Sequence, residues 1–381
     1  MLDRFVKIFT SLRLTVVLLA LGLILVFWGT IAQVHLGLYK AQNEFFRSFF
    51  VFWQPAGASW KLPIFPGGYL VGGLLIINLF AAHLRYYQPG KKKIGIALIH
   101  LGIVLLLLGQ LLTDVLSVES SMHIRNGGTK NYSEAGRSFE LAIVDTTDAD
   151  SDKVVAVREA RLRKRDEIAH QELPFKVRVN RYFVNSELAQ KEAGGFSAVK
   201  TTLGLGQDIW WRELPHETEM DKRDIPSGIF ELTTAQGSLG TFLLSGYLNR
   251  PQEITHNGRR YELELRPERF YKPFSLHLIE FRHDRYPGTE IPKDFSSLVR
   301  LQRADTGEDR EVRIYMNNPL RYNGETYYQA SFDKDDQGTV LQVVRNPGWL
   351  TPYLACVLVS AGLLWQFLSH LFKFAARRKS V

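Results

Sequence analysis

The sequence contains a single cysteine, Cys356, which lies inside an apolar run. One cysteine excludes an internal disulfide, a Cys-X-X-Cys redox pair and a Cys-X-X-Cys-His haem-attachment motif. The chain therefore lacks both the disulfide framework of a small secreted domain and the thiol pair of a disulfide oxidoreductase.

Acidic residues are scarce outside the middle of the chain. The residues outside 116–345 contain only three Asp and Glu but 14 Lys and Arg, which gives them a net charge of +11. Residues 116–345 contain 36 acidic and 33 basic residues, a net charge of −3. The overall charge of +8 therefore comes from basic residues beside apolar runs. Such residues signal membrane topology, so we expect no nucleic-acid partner.

Local catalytic motifs are also absent. The chain has no HExxH or HxxxH metal motif, GxSxG turn, Walker A loop or strand-linked GxGxxG. Residues 116–345 contain six histidines: His123, His170, His216, His256, His277 and His283. Their spacing matches no zinc-ligand pattern, so we expect no metal site among them. A standalone hydrolase or redox enzyme is the weakest functional hypothesis.

Four apolar runs are present, at residues 14–33, 68–84, 94–115 and 349–372. Each approaches or exceeds the roughly 20 residues that a helix needs to cross a bilayer. The first run follows a basic start and could be a signal peptide. Its apolar core exceeds the usual 7–15 residues of a signal sequence, so we expect a retained transmembrane helix.

Clusters of Lys and Arg indicate the orientation of these helices. The clusters lie at residues 1–13, 85–93 and 373–381, which four spans place on one side of the membrane. The positive-inside rule assigns that side to the cytoplasm, as expected for a bacterial inner-membrane protein with both termini inside. Residues 34–67 and 116–345 then face outward.

The two outward segments differ in composition. Residues 34–67 are rich in Phe and Trp, which predicts a loop at the lipid–water interface; a re-entrant or substrate-contacting role is the alternative. Residues 116–345 contain short alternating runs and Asn-Gly turns such as Asn257-Gly258 and Asn323-Gly324. The predicted fold is an integral membrane α plus β protein. It has four transmembrane helices, with an antiparallel β-sandwich or barrel-like domain between the third and fourth.

Two histidines lie in the hairpin formed by the second and third spans. His100 is about 9 Å and His83 about 3 Å from the basic connector, at 1.5 Å per residue. A histidine at membrane depth suggests a ligand role, although His100 could form an interhelical hydrogen bond and His83 could reach the headgroups. We expect His35 and His370 to be hydrated. Two other polar residues of the hairpin, Asn78 and Gln110, are expected to hydrogen-bond between helices.

One segment resembles a known family. Residues 316–333, MNNPLRYNGETYYQASFD, are similar to the closing signature of the ResB family of cytochrome c biogenesis proteins. Shorter matches occur at residues 11–14 (SLRL), 29–30 (GT), 100–102 (HLG) and 122–128. These matches occur in the same order as in the family. Together with the four-span layout, they extend the resemblance over nearly the whole chain.

The resemblance implies a function. ResB proteins act with a CcsA/ResC-type membrane protein to move haem across the membrane and attach it to apocytochrome c. The resemblance therefore implies that this chain is a non-catalytic subunit that binds haem b transiently. His100 is the candidate axial ligand of the iron, and His83 is a weaker candidate. Two axial ligands approach one iron from opposite sides, so a partner is favoured over this chain as the source of the second. The alternative is a structural membrane anchor whose outer β domain binds an envelope protein without handling haem.

Overall fold

The computed structural model describes residues 7–55, 57–86, 93–149, 151–220, 222–248, 250–289 and 291–379. Most of the predicted basic connector, at residues 87–92, lies outside the described residues, as do residues 1–6 and the end of the basic tail. The chain divides into two compact units. The first contains residues 1–118, 218–220 and 345–381, and the second contains residues 119–217 and 221–344.

The described part of the chain contains six α-helices of very different length. They are α1 (Leu12–Leu36), α2 (Leu38–Ala41), α3 (Gly68–Tyr86), α4 (Ile94–Leu116), α5 (Glu159–Leu162) and α6 (Thr351–Lys379). Helices α1, α3, α4 and α6 are long and apolar enough to cross a membrane. They overlap the four predicted spans. A π-helical turn, Gln42–Phe46, follows α2.

The strands are short except for β4 and β14. In chain order they are β1 (Phe50–Trp53), β2 (Leu62–Pro66), β3 (Val118–Arg125), β4 (Thr129–Asp145), β5 (Lys153–Arg158), β6 (Glu167–Ile168), β7 (Lys176–Phe183), β8 (Ser186–Ala189), β9 (Ser197–Ala198), β10 (Trp210–Glu213), β11 (Ser227–Thr234), β12 (Gly237–Ser245), β13 (Gln252–His256), β14 (Arg259–Arg285), β15 (Pro292–Arg303), β16 (Glu308–Tyr315), β17 (Leu320–Tyr322), β18 (Glu325–Phe332) and β19 (Gly338–Arg345).

Three glycines spaced seven residues apart allow α4 and α6 to pack closely. Gly95, Gly102 and Gly109 are buried, and each would place an added Cβ against atoms of α6. At Gly95 the obstacle is the backbone oxygen of Gly362, 2.8 Å away. Seven residues are close to two helical turns, so the glycines form one stripe along α4. Small residues let two backbones approach where lipid offers no hydrophobic driving force.

Helices α1 and α3 are joined by a buried amide. Asn78 is 1% exposed, and its Oδ1 accepts a 2.6 Å hydrogen bond from the Thr15 hydroxyl of α1. Its Nδ2 donates a 2.7 Å bond to the carbonyl oxygen of Phe9. The prediction of an interhelical hydrogen bond is confirmed for Asn78. It is wrong for Gln110, which is exposed and forms no side-chain hydrogen bond with any residue that the structure describes.

This difference predicts different costs for two leucine substitutions. Asn78→Leu is expected to lower the free energy of unfolding by about 0.6–1.7 kcal/mol, the range of polar contacts between membrane helices. Gln110→Leu is the matched control and is expected to be neutral or stabilising, because an exposed amide in an apolar solvent is unfavourable. Titration of the detergent-solubilised chain with sodium dodecyl sulfate compares the two. Equal costs for both variants would contradict the assignment.

The aromatic loop folds into a two-stranded antiparallel hairpin, β1 and β2. Trp28 of α1 contacts Phe45 and Phe65 edge to face, with ring centroids 5.4 Å and 5.9 Å apart. Trp53 and Trp60 pack against each other on the exposed side. The loop is therefore an ordered element of the first unit, with one aromatic face packed and the other exposed.

The second unit begins as a β-sandwich. One layer is the sheet β12-β11-β7-β6, and the other contains β5, the second half of β4, the first half of β14, and β13. Both layers contribute side chains to one core, with Tyr261, Phe230 and Leu141 each fully buried. Two-residue turns at Asn257-Gly258 and Asn323-Gly324 have positive φ angles, as the sequence predicts.

Strand β14 continues from the sandwich into a second core. Its second half joins β15 and β16 on one side, while β4, β3, β19, β18 and β17 follow on the other. Leu276, Leu278 and Tyr327 are fully buried in this second core. The register of β14 shifts between Tyr271 and Leu276. The prediction of a large antiparallel β-rich, nearly barrel-like region is confirmed.

Candidate functional site

His83 and His100 lie on neighbouring antiparallel helices and face each other. His83 is in the last turn of α3, and His100 is in the second turn of α4. Their ring centroids are 6.2 Å apart, and the ring planes are inclined by 72°. Both side chains are half-buried. The structure thus brings together the two residues that the sequence singles out.

His83 and His100 lie at different depths along their helices, but the direction in which helical side chains point still brings their rings together. Each Cα–Cβ bond tilts toward the N-terminus of its own helix. Because α3 and α4 are antiparallel, His83 leans away from the connector and His100 leans toward it. The two side chains therefore converge from positions that the rise per residue places about 6 Å apart along the helix axes.

The two histidines line a groove of about 550 Å³ between α3 and α4. Most of its other walls are apolar, including Leu79 and Phe80 on α3 and Leu98 and Leu101 on α4. Lys93, at the N-terminal end of α4, is the cation among the lining residues. The volume falls within the range of about 300–1,000 Å³ typical of small-molecule sites. An apolar groove with two imidazoles and a basic end suits a largely apolar, anionic, metal-containing ligand.

His100 lies on the face of α4 that points away from α6. His100 and Gly102 are two residues apart, which is about 200° around a helix of 3.6 residues per turn. Gly102 faces Ala355 and Val359 of α6. The glycine stripe thus fixes the rotation of α4, and this rotation presents His100 to α3.

The other helical histidines do not join this site. His35 is in the last turn of α1, and His370 lies on α6, where its Nε2 accepts a 2.9 Å hydrogen bond from the amide of Gln366. Neither lines the groove.

The histidines of the β-rich unit pair mainly with single polar groups. His123 contacts Asp333 at 2.9 Å, and His283 contacts Asp336 at 2.8 Å. Within the described ranges, no group of three or more His, Cys, Asp or Glu side chains could hold a metal ion. Trp210 and Trp211 are adjacent large aromatic residues of β10, and Trp211 is buried against Phe183 in a structural core.

One polar cluster was not predicted from the sequence. Asp114 lies in the last turn of α4. Its Oδ1 lies 2.7 Å from Nε of Arg47, and its Oδ2 accepts a hydrogen bond from the Tyr69 hydroxyl. These residues come from three separate segments of the first unit, so no local sequence pattern indicates the cluster. It fastens the start of α3 and the aromatic loop to the end of α4.

Comparison with known proteins shows which part of the chain resembles the ResB-like family. The ResB-like family model matches residues 254–340, which include the signature segment 316–333. Protein NrfI of Wolinella succinogenes is 27% identical over 308 residues, which cover 79% of this chain and 30% of NrfI. The chain thus matches less than a third of that relative. His83 and His100 lie outside the residues matched by the family model. The resemblance to the ResB-like family predicted from the sequence is confirmed, and the family model places it at residues 254–340, the ResB-like region of this chain.

Proposed function

We propose that this protein is a subunit of a membrane complex for cytochrome c maturation. It helps to move haem across the bacterial inner membrane and to attach it to apocytochrome c, together with a CcsA/ResC-type partner. The ResB-like region at residues 254–340 supports the assignment to cytochrome c biogenesis. The observation that supports haem handling by this chain is the histidine pair in the apolar groove.

The separation of the two imidazoles suits a shared metal ion. Imidazole is a ligand of haem iron, so two imidazoles whose rings lie close together on facing helices would both be available to hold one iron ion. The observed centroid distance is 6.2 Å. We therefore assign an axial ligand role to His100 and include His83 in the same site. In this proposal His83, and not the partner, would supply the second imidazole.

The rest of the groove would favour haem as cargo. Apolar side chains on α3 and α4 exclude water from the porphyrin, and burial together with axial ligation sets the potential of the iron. Lys93 lines the same groove, and its positive charge would favour an anionic propionate. With termini in the cytoplasm, this groove opens near the cytoplasmic side, where haem enters.

The test is the haem content of purified complexes. The chain is co-expressed with its CcsA/ResC-type partner, and haem is measured by pyridine haemochrome and absorbance spectra. His100→Ala is expected to lose most of the haem or to shift its Soret band, and His83→Ala to shift the band. His370→Ala is the matched control, because His370 lies on α6 and outside the groove; it is expected to retain the wild-type spectrum.

A chemical rescue separates ligation from packing. His100→Gly leaves space for free imidazole, which is expected to restore the haem spectrum if the side chain is a ligand. Unchanged haem content and spectrum in His100→Ala would overturn the ligand assignment. Deletion of the gene is expected to abolish c-type cytochromes. Normal c-type cytochromes in the deletion strain would instead favour the structural anchor.

A further inference from the structure

The β-sandwich of the second unit has an open side. Strand β5 pairs with β4 and, among the residues that the structure describes, with no other strand. Strand β6 pairs only with β7 in the same described ranges, so it ends the opposite sheet. The chain passes between these two edges through α5. One edge of β5 therefore presents unpaired backbone donors and acceptors.

A groove of about 420 Å³ runs along this side. Its floor is apolar and includes Val155 and Val157 of β5 and Ile168 of β6, which are 7%, 7% and 4% exposed. The exposed side chains of β5 between its charged ends are Val154 and Ala156. The edge thus lacks the inward charge, proline or bulge that commonly protects free strands from pairing.

The rim of the groove is basic. Arg158, Arg161, Lys164 and His170 line it, and no lining residue is acidic. Arg158 pairs with Glu268 at 3.1 Å. Within the described part of the chain, no carboxylate lies within 4.0 Å of the side-chain nitrogens of Arg161 or Lys164. Two cations beside an open strand edge are thus available to an acidic ligand.

We propose that an extended, acidic polypeptide segment binds in this groove by pairing with the free edge of β5. Backbone hydrogen bonds to the strand supply affinity, and alternate side chains meet either the apolar floor or the basic rim. A compact anion would contact only the unpaired cations of the rim. An extended peptide would also pair with the edge strand and contact the apolar floor, so the groove favours the peptide. The proposal concerns the β-rich unit and does not depend on haem binding by His100.

The experiment uses the full chain in detergent micelles and a fluorescein-labelled, end-blocked peptide of alternating glutamate and valine. Fluorescence anisotropy measures its Kd. Arg161→Glu combined with Lys164→Glu is expected to weaken binding by about tenfold or more, because like charges across an interface repel. Lys191→Glu combined with Lys200→Glu makes the same charge change at exposed positions outside the groove, and is expected to leave the Kd within about twofold.

N-methylated peptides test strand pairing directly. Alternate residues of a strand direct their N–H groups to the same side, so peptides methylated at odd or at even positions block one side each. Only one of the two series is expected to lose binding. Failure of the wild-type chain to bind, equal effects of the two charge-reversal pairs, or equal binding of both methylated series and the parent peptide would each overturn the proposal.

Discussion

Replacing Arg266 with methionine is expected to lower the free energy of unfolding by about 3–5 kcal/mol, the cost of leaving a buried partner charge uncompensated. The side chains of Arg266 and Glu140 are both 5% exposed, and Nε of Arg266 lies 3.1 Å from Oε1 of Glu140. Nη1 also contacts Glu264 at 3.3 Å, and Nη2 donates to the Tyr271 hydroxyl. Denaturant unfolding of the chain in detergent, followed by circular dichroism, measures the loss.

Two further variants separate burial from charge. Arg300→Met removes a bidentate pair with Asp309, but these side chains are 50% and 39% exposed. Its expected cost is therefore small compared with that of Arg266→Met, because solvent screens an exposed ion pair. Combining Arg266→Met with Glu140→Leu removes both buried charges and should recover much of the loss. If Arg266→Met cost no more than Arg300→Met, the buried pair would not be a major source of stability.

The loss in Arg266→Met should depend on pH. Burial raises the pKa of Glu140, and the hydrogen bond and charge of Arg266 oppose this rise. Without Arg266 the pKa of Glu140 rises further, so the folded state binds a proton more tightly than the unfolded state. Stability of the variant then falls as pH rises through the folded-state pKa. The difference in the free energy of unfolding between Arg266→Met and the wild-type protein should be largest near neutral pH and should shrink toward about pH 4.5.

Gly102→Leu is expected to separate α4 from α6. An added Cβ would lie 2.6 Å from Cγ2 of Val359 and 2.9 Å from the backbone oxygen of Ala355. The Val359 side chain can rotate, but the backbone of α6 has to move, so we expect a cost of about 1–3 kcal/mol or more. The midpoint of thermal unfolding in nanodiscs measures it.

Gly73 provides the matched control for this substitution. It also lies in an apolar helix, but an added Cβ would meet no atom within 4 Å. Gly73→Leu should be neutral or stabilising, because leucine favours helix more than glycine does. Similar losses for the two variants would show that side-chain volume at the α4–α6 contact does not determine stability.

The sequence by itself determined the elements whose signals are local. Uninterrupted apolar runs predicted four long helices, because each helix must satisfy its own backbone in an apolar solvent. Asn-Gly pairs predicted turns at residues 257–258 and 323–324, because asparagine and glycine tolerate positive φ. The segment 316–333 indicated the family, since its residues are contiguous.

Only the tertiary structure decided which side chains meet. Residues 156–171 illustrate this, because the sequence indicates that most of their charges are solvated, and the structure leaves most of them exposed. Only the structure shows that Leu162 and Ile168 of this stretch enter the sandwich core and that its cations lie along an open strand edge. Likewise, Asn78 and Gln110 are both amides in apolar helices, but among the residues that the structure describes only Asn78 has a side-chain hydrogen-bond partner.

The histidine pair depends on both levels. The sequence places His83 and His100 on two helices joined by a short basic connector, and therefore near the same end of a hairpin. Whether their rings meet depends on the rotation of each helix, which a run of leucines and isoleucines does not specify. That rotation follows from Gly95, Gly102 and Gly109 packing on α6, because close backbone contact is possible only along the glycine stripe. His100 thereby faces α3 and His83.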